Sequence, residues 1–434
     1  MKGFTITREE FQANWKPKFF TIFAGQALSL FGSGLVQFAL VWYLTQETGS
    51  ATILATATLI AMLPQIFLGP FVGALVDRWD RRVVMMAADG AIAFATLALA
   101  GAFWAGWVQI WHIYAILFIR SLGGAFHWPA MAASTALMVP NEHLARVAGL
   151  QQTLHGLVSM VAPPTGAVLL GVMTTQGVLA IDVITALIAI LPLAFIPIPQ
   201  PTRVQNAHKE PRPSYWQDVR DGLRYVAAWP GLLAILSMAV LINFLLTPAS
   251  ALMPLLVTRH FGLGALELGL TDTLWGVGMI AGGALLGVWG GFKKRIATTL
   301  LGIIGIGVGV LMTGLAPANM FWLALAGMAV VGVTNPIANG PLHAILQAAI
   351  QPDMQGRVMS LVNSAATAMT PLSLLVAGPV SDVVGVRAWY LFGGLVCLLM
   401  GAAGFFLPVV MNVESNRMNK EAPAASSTLS SLAD

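Results

Sequence analysis

The sequence predicts an all-α membrane protein, with twelve transmembrane helices arranged as two pseudo-symmetric six-helix bundles. Three observations support this fold class: the composition, the number of long apolar segments and a repeat that relates the two halves. Hydrophobic residues make up 57% of the 434 residues and charged residues only 9%, whereas an ordinary globular protein has about 25% charged residues. So few charges cannot cover the surface of a soluble protein of this length, and a soluble protein is therefore excluded.

Apolar segments of about 20 residues, the length that crosses the core of a bilayer, recur from Phe19 onward. The polar segment Met1–Lys18 precedes an apolar run that is too long for the core of a signal peptide. The predicted spans are 19–43, 51–76, 83–105, 110–138, 145–172, 178–199, 229–258, 266–290, 296–316, 320–348, 357–380 and 388–411.

The longest polar break divides the spans into two sets of six, which sets the expected domain organisation. The break is rich in proline and charge, and the C-terminal tail is rich in serine and alanine, a composition typical of disorder. The predicted parts are a cytoplasmic segment 1–18, a bundle 19–199, a cytoplasmic linker 200–228, a second bundle 229–411 and a disordered tail 412–434.

The distribution of basic residues predicts the orientation in the membrane. If both termini are cytoplasmic, all but three of the 22 Lys and Arg residues lie on the cytoplasmic side. The exceptions are Arg259 and Arg387, which fall outside, and Arg120, which falls within a span. Such an excess on one side fixes topology by the positive-inside rule. We therefore expect a multi-pass protein of the cell inner (plasma) membrane with both termini in the cytoplasm.

The two halves share landmarks that are separated by about 210 residues. Each landmark occupies the same topological place in its half, after the second span, within the fourth span or after the fourth span. The pairs are Arg81-Arg82 with Lys294-Arg295, Pro129 with Pro336, and Glu142–Leu150 with Asp353–Leu361. Three landmarks at nearly one spacing indicate the duplication of a six-helix unit.

Polar side chains recur on one face of several spans, and in a bilayer such a face is turned towards protein or a cavity. We therefore expect a central polar cavity between the two bundles. Spans nine and twelve are nearly free of polar side chains and are expected to face lipid. The candidate substrate residues are Gln26, Ser33, Gln37, His155, Asn243, Asn335, Asn339 and Asn363.

Several motifs together resemble the major facilitator superfamily, and within it the macrolide efflux branch of drug:proton antiporters. The segment Gly73–Arg82 resembles the superfamily's signature loop, with Asp80 where a glycine is usual. The other matching segments are Asn14–Lys16, Ala24–Ala27, Phe118–His127 and Ala180–Val183. The resemblance covers roughly Asn14 to Pro408. It implies the major facilitator fold and rocker-switch export of hydrophobic, often cationic compounds driven by proton entry.

The resemblance implies a gating role for the loop between spans two and three. In the family this loop braces the outward-facing state through contacts between an acid and basic groups and with a helix dipole. The matching residues here are Gly73, Asp77, Arg78, Arg81 and Arg82. The alternative is a basic loop that only marks topology.

Titratable groups within the spans are candidates for proton coupling. Arg120 matches an arginine that antiporters of the superfamily carry in span four, and its alternative is a packing residue bonded to backbone carbonyls. Asp272 is a candidate coupling acid or a solvated acid at the outer interface, and its pairing with Arg120 would require the two halves to meet. Asp89 is expected to be a partner of the signature loop, and Asp182 to be structural.

His127 and His155 could also titrate near neutral pH, or could be hydrogen-bonded packing residues. No carboxylates stand near them at metal-ligand spacing, so no metal site is expected. Cys397 is the single cysteine, which excludes intrachain disulfides. No Lys lies between Gly and Ser or Thr, so a P-loop is absent, and no cofactor is expected.

We therefore expect a secondary active exporter rather than an enzyme, in which protons are exchanged for a drug such as a macrolide. The expected partners are a small hydrophobic substrate, protons and the lipid bilayer, without nucleic acid, and the sequence is compatible with a monomer. One alternative is an exporter of an endogenous siderophore or lipid-like metabolite. Another is a receptor or scaffold, but the longest soluble segment, about 25 residues, is too short for an output domain.

Overall fold

The computed structural model describes residues 7–200, 220, 223–350 and 352–414. None of these residues forms a β-strand, and twelve helices of 21 or more residues occur among them. The number of long helices therefore equals the number of spans predicted from the sequence. Most of the predicted linker and nearly all of the predicted tail lie outside the described residues.

Among the described residues, the first half of the chain forms seven α-helices. A short helix precedes six long ones, and the turns between the long helices are brief. The helices are α1 (Arg8–Gln12), α2 (Trp15–Thr48), α3 (Ala51–Val76), α4 (Arg81–Trp104), α5 (Ile110–Met138), α6 (Leu144–Val172) and α7 (Thr175–Phe195).

The second half repeats the pattern of six long helices. They are α8 (Pro230–Ala251), α9 (Ala265–Trp289), α10 (Arg295–Leu315), α11 (Phe321–Ala349), α12 (Pro352–Val384) and α13 (Val386–Phe406). Span seven was predicted to continue to residue 258, but α8 ends at Ala251. Pro254 lies at the start of the next short helix, and proline cannot donate the backbone hydrogen bond that would continue α8. One turn of π-helix, Leu256–His260, follows.

Eleven of the described helices are long and apolar enough to cross a membrane. The remaining long helix, α5, has 29 residues, which is ample length for a crossing. It is less apolar because it carries Arg120 and His127. Charged and polar groups within a membrane helix usually face a bundle interior or a water-filled cavity, so α5 is the helix most expected to line a site.

Local chemistry sets several helix boundaries. Gly49 ends α2 with a φ of 58°, a left-handed conformation that glycine adopts without a steric penalty. The Ser50 side chain then accepts a hydrogen bond from the Ile53 N–H at the start of α3. At the other end of the bundle, Gln12 of α1 donates to the carbonyls of Leu137 and Val139 at 3.2 Å each. It thereby satisfies carbonyls that lack a partner at a helix end.

The chain forms two compact units. Unit 1 comprises Met1–Ala207 and Ala251–Thr273, and unit 2 comprises His208–Ser250 and Leu274–Asp434. The segment Ala251–Thr273 belongs to unit 1, where Thr273 donates to the Met160 carbonyl of α6 at 3.4 Å. Gly269 lies so close to the backbone of Pro164 that a Cβ atom there would clash at 2.7 Å.

Unit 2 corrects the expectation that span nine faces lipid. Helix α10 packs between α11 and α13, and Thr298, Thr299 and Thr313 on it are buried. Glycines on α10 and α13 leave the two backbones in direct contact, as at Gly307 and Gly394. Small residues allow this close packing of membrane helices. A lack of polar side chains therefore did not distinguish a lipid-facing helix from a helix packed on its neighbours.

Candidate functional site

A cavity of about 480 Å³ lies in unit 1 between α2, α3, α4, α5 and α6. Its walls are partly apolar, with Phe23, Leu30 and Trp128 among them. The polar and charged side chains that line it are Gln26, Ser29, Ser33, Gln37, Gln65, Asp89, Arg120, Ser121, His127, Gln151 and His155. A largely apolar wall with a few convergent polar groups is typical of a small-molecule site.

A buried ion pair lies at one wall of this cavity. The Nη1 atom of Arg120 on α5 is 2.6 Å from Oδ2 of Asp182 on α7. The Arg120 side chain is 10% exposed and that of Asp182 1%. An unpaired charge at this depth would cost at least about 3 kcal/mol. The pair therefore explains how both residues are accommodated within an apolar bundle.

Hydroxyl groups on two further helices complete the network around Asp182. Ser33 of α2 donates to Oδ1 of Asp182 at 3.2 Å, and Thr96 of α4 donates to Oδ2 at 3.2 Å. Arg120 also donates to the Ser33 carbonyl and to the Thr96 hydroxyl. Gly32 permits this arrangement, because a Cβ atom there would lie 3.2 Å from the Asp182 Cα atom and would collide with Thr185. The network ties α2, α4, α5 and α7 together.

This network identifies the partners of Arg120, whereas its role in proton coupling stays a prediction. The pairing with Asp272 that the sequence left open is not formed, since Asp182 is the partner. The alternative of a packing arginine is correct in one respect, because Arg120 donates to a backbone carbonyl at 3.2 Å. Asp182, expected to be structural, is the counter-ion of the single mid-membrane cation that the sequence analysis identified.

A second acidic group, Asp89 of α4, lies at the cavity wall in a different environment. Gln26 of α2 donates to Oδ2 of Asp89 at 3.1 Å. The Nε2 atom of His127 on α5 lies 3.5 Å from Oδ1, close enough for an ion pair but without the alignment of a hydrogen bond. Asp89 was expected to pair with the signature loop, and this expectation is wrong. Its position about two turns into α4 places it beside α2 and α5 instead.

His155 of α6 lines the same cavity and packs against an aromatic ring. Its ring centroid lies 4.6 Å from that of Trp128, with an edge-to-face angle of 76°. Gln26, Ser33, Gln37 and His155, four of the predicted substrate residues, therefore share the cavity of unit 1. Whether they contact a substrate stays a prediction.

The predicted substrate residues of the second half lie in unit 2. Asn243, Asn335 and Asn339 line a cavity of about 230 Å³ between α8, α10 and α11. Asn339 donates to the carbonyl and to the side-chain oxygen of Asn335, at 3.1 and 3.2 Å. The side chain of Asn363 is not among the described parts of the structure. Helix α10, which had no candidate, contributes Thr299 and Ile303 to this lining.

The signature loop connects α3 to α4 and is held by several contacts within unit 1. Asp77 pairs with Arg81 at 3.0 Å, and the Asp77 side chain remains 67% exposed. Arg81 also donates to the Ala133 carbonyl of α5 at 3.0 Å. Arg82 donates to the carbonyls of Leu193 and Ala194 near the end of α7. A cation beside the carbonyl end of a helix is stabilised by the helix dipole.

Asp80, which departs from the usual glycine of the loop, has a local role. It is the N-cap of α4, and its side chain accepts from the N–H groups of Arg82 at 2.9 Å and Val83 at 3.4 Å. Gln200 donates to the same oxygen at 3.1 Å. An acidic N-cap satisfies backbone N–H groups that have no partner within the helix. The substitution therefore strengthens the start of α4.

Asp272 lies apart from both cavities described here. It is in the first turns of α9, within the segment assigned to unit 1. Among the described residues it forms no hydrogen bond or ion pair, while its neighbours Thr271 and Thr273 bond to backbone carbonyls. The geometry gives Asp272 no charged partner, and its role in coupling stays a prediction.

The pairing of Asp89 with His127 and of Asp182 with Arg120 was not predicted from the sequence. A signal was present, because each of these groups lies within an apolar helix. Charged groups in membrane helices pair with one another or with backbone groups. Two acids and two basic side chains in three helices of one half indicate such pairs, but sequence spacing does not say which acid meets which base.

Comparisons with known proteins place the chain in a family. The family model of the Major Facilitator Superfamily matches residues 22–370 and 235–432. Macrolide efflux protein A of Streptococcus pyogenes is 36% identical over 388 residues, which cover 89% of this chain and 95% of that protein. The multidrug efflux pump Tap of Mycobacterium tuberculosis is 27% identical over 426 residues, 93% of this chain and 96% of that protein.

The solved structures show the same fold. A bacterial homologue of the human lysosomal transporter Spinster, in an inward-facing and unoccupied conformation, has a TM-score of 0.67. It is 11% identical and covers 92% of this chain and 97% of its own. The chain therefore belongs to the major facilitator superfamily, and within that superfamily it resembles the macrolide efflux proteins.

Proposed function

We propose that this protein is a secondary active exporter that exchanges protons for hydrophobic or cationic drugs, such as macrolides, by alternating access. The names of the similar proteins support the substrate class, because they are a macrolide efflux protein and a multidrug efflux pump. The distribution of basic residues supports an inner (plasma) membrane protein with both termini cytoplasmic. The proposed protein is accordingly a transporter rather than an enzyme.

The observation that carries the proposal is the cavity of unit 1. Its apolar walls suit the body of a hydrophobic drug, whereas its amides and hydroxyls offer hydrogen bonds that are not committed to one ligand shape. The cavity also holds Asp89 and His127, a pair whose charge depends on protonation. A site that binds an apolar molecule and a proton together is what a drug:proton exchanger requires.

The buried pair of Arg120 and Asp182 supports the proposal in a different way. Because Arg120 is neutralised at 2.6 Å, its positive charge does not dominate the cavity. A cation can therefore enter without meeting an uncompensated arginine. The pair also bonds α2, α4, α5 and α7 to one another, so unit 1 can move as one body when access alternates.

Transport by purified protein tests this function. The full chain is reconstituted into liposomes, and uptake of a radiolabelled macrolide is measured after a step in external pH. Macrolide should accumulate against its gradient under the pH step, and an ionophore that exchanges protons for potassium should abolish the accumulation. Accumulation that depends on internal or external ATP and ignores the pH step would contradict the proposal.

A cell assay tests the drug specificity. The chain is expressed in a strain that lacks its other drug pumps, and resistance to a panel of hydrophobic and cationic drugs is measured. Resistance to several drugs, macrolides included, is the expected result. Unchanged resistance, together with build-up of one metabolite in a deletion strain, would favour export of an endogenous compound such as a siderophore.

A further inference from the structure

Asp89 and Asp182 flank the same cavity but differ in how their charge is compensated. Asp182 has the Arg120 guanidinium at 2.6 Å and two hydroxyl donors. Asp89 has one amide donor, Gln26, and the imidazole of His127 at 3.5 Å. A neutral imidazole supplies no positive charge. The Asp89 carboxylate therefore lacks a permanent counter-ion, at a depth where an uncompensated charge is costly.

The helices around the cavity offer few cationic side chains that could act as the counter-ion of Asp89. Helices α2 and α3 contribute only neutral amides and hydroxyls to the polar lining, and α4 contributes Asp89 itself. Helix α5 contributes Arg120 and His127, and α6 contributes His155. Arg120 is committed to Asp182 of α7, which lies behind it. When both histidines are neutral, the lining and the buried pair together carry one net negative charge.

We propose that the Asp89 carboxylate is the cation-binding group of this cavity, and that protonated His127 and the ammonium group of a cationic substrate occupy it in turn. This inference rests on the proposed function and assigns its exchange site. The substrate class follows from the charge: a monocation with an N–H donor and an apolar body. Phe23 and Trp128 line the same cavity and offer apolar and cation–π contacts to such a molecule.

The exchange balances in charge and protons. In the resting form, imidazolium at His127 compensates Asp89. When a substrate ammonium donates its N–H to a carboxylate oxygen of Asp89, the two cations would lie side by side in a site of low polarity. Their repulsion drives one proton from His127 to water for each monocation bound. On the other side of the membrane the reverse step reloads the proton and expels the substrate.

The direction of the pH effect follows from this competition. A proton on His127, which lower pH favours, leaves Asp89 already compensated, so a cationic substrate binds weakly. At higher pH the carboxylate is free of its competitor and the same substrate binds tightly. A neutral substrate of the same shape does not compete for Asp89. Its affinity should therefore change little with pH.

Binding to the purified full chain tests the assignment. The probes are a macrolide that carries a protonated dimethylamino sugar and the same macrolide with the amine converted to its uncharged N-oxide. Affinity is measured by tryptophan fluorescence between pH 5.5 and 8, and proton release by a pH indicator in weak buffer. The wild-type protein should release a proton on binding the amine and none on binding the N-oxide.

Three variants distinguish the roles of Asp89 and His127 from the general effect of removing an acid. Asp89→Asn should weaken binding of the amine at pH 8 at least tenfold, leave binding of the N-oxide within twofold and abolish proton release. His127→Gln should also abolish proton release and make the affinity for the amine independent of pH. Glu47→Gln is the matched control, because the same change of acid to amide is made at an exposed position of α2. It should behave as the wild type does.

Several results would contradict this inference. Wild-type proton release and amine affinity in Asp89→Asn would overturn the inference. Release lost in His155→Gln or Asp272→Asn but kept in His127→Gln would also overturn it and move the proton to those residues. If Asp89→Asn fails to fold, as judged by size-exclusion chromatography, His127→Gln alone decides the question. Failure of the proposed function is seen separately, as wild-type liposomes that do not accumulate macrolide under a pH step.

Discussion

Removal of the negative charge of Asp182 should lower the stability of unit 1, and the burial of its partner Arg120 determines by how much. Asp182→Asn keeps the size of the side chain but leaves Arg120 charged, 10% exposed and without its counter-ion. Breaking a buried ion pair by removing one partner costs about 3–5 kcal/mol. For a unit of 150–250 residues, 1 kcal/mol changes the melting temperature by about 2–4 °C. The lower bound of 3 kcal/mol thus predicts a decrease of about 6–12 °C.

The double variant is the decisive part of this experiment. Arg120→Gln combined with Asp182→Asn removes both charges, and the two amides can hydrogen-bond to Ser33 and Thr96. Each single variant leaves one buried charge unpaired, whereas the double variant leaves none. The double variant should therefore regain at least half of the stability that Asp182→Asn loses.

Thermal unfolding in detergent, followed by fluorescence-detected size-exclusion chromatography, measures these differences. Glu47→Gln provides a matched control, since an exposed charge should change stability by less than about 0.5 kcal/mol. Strict additivity of the two single losses in the double variant would refute the reasoning. It would mean that the 2.6 Å contact between Arg120 and Asp182 carries no coupling energy.

Three further predictions concern the loop and the packing of α2. Asp77→Asn removes the acid that pairs with Arg81; we expect normal membrane insertion with loss of macrolide efflux, and full efflux would reduce Asp77 to a topology marker. Asp80→Ala removes the N-cap of α4 and should lower stability by about 1 kcal/mol in thermal unfolding, whereas Asp80→Ser should keep most of it. Gly32→Ala places a Cβ atom against α7 and should lower the melting temperature, whereas Gly101→Ala, which meets no neighbour within 4 Å, should not.

The positions of the helices could be predicted from the sequence because the signals are local. A membrane helix satisfies its backbone hydrogen bonds internally, so an apolar run of sufficient length is enough to identify it. Predicted spans 51–76 and 110–138 coincide with α3 and α5. The early end of α8 depends on Pro254, which also is a local signal but was not used.

The polar faces could be predicted for the same reason. Gln26, Ser33 and Gln37 recur at helical spacing on α2, and all three line the cavity of unit 1. Periodicity tells which side chains share a face of a helix. It does not tell which helix that face meets, and α10 was for that reason expected to face lipid although its glycines pack on α13.

The sequence by itself thus determined the class of protein, the number of its long helices and the residues available for a site. Only the tertiary structure decided that Arg120 meets Asp182 rather than Asp272, and that Asp89 meets Gln26 and His127 rather than the signature loop. These partners are 62, 63 and 38 residues apart in the chain. Helix packing brings them within hydrogen-bond or ion-pair distance, and this packing depends on the shapes of whole helix faces. Electrostatic pairing in the bundle is therefore a property of the assembled helices, whereas helix formation is a property of each segment.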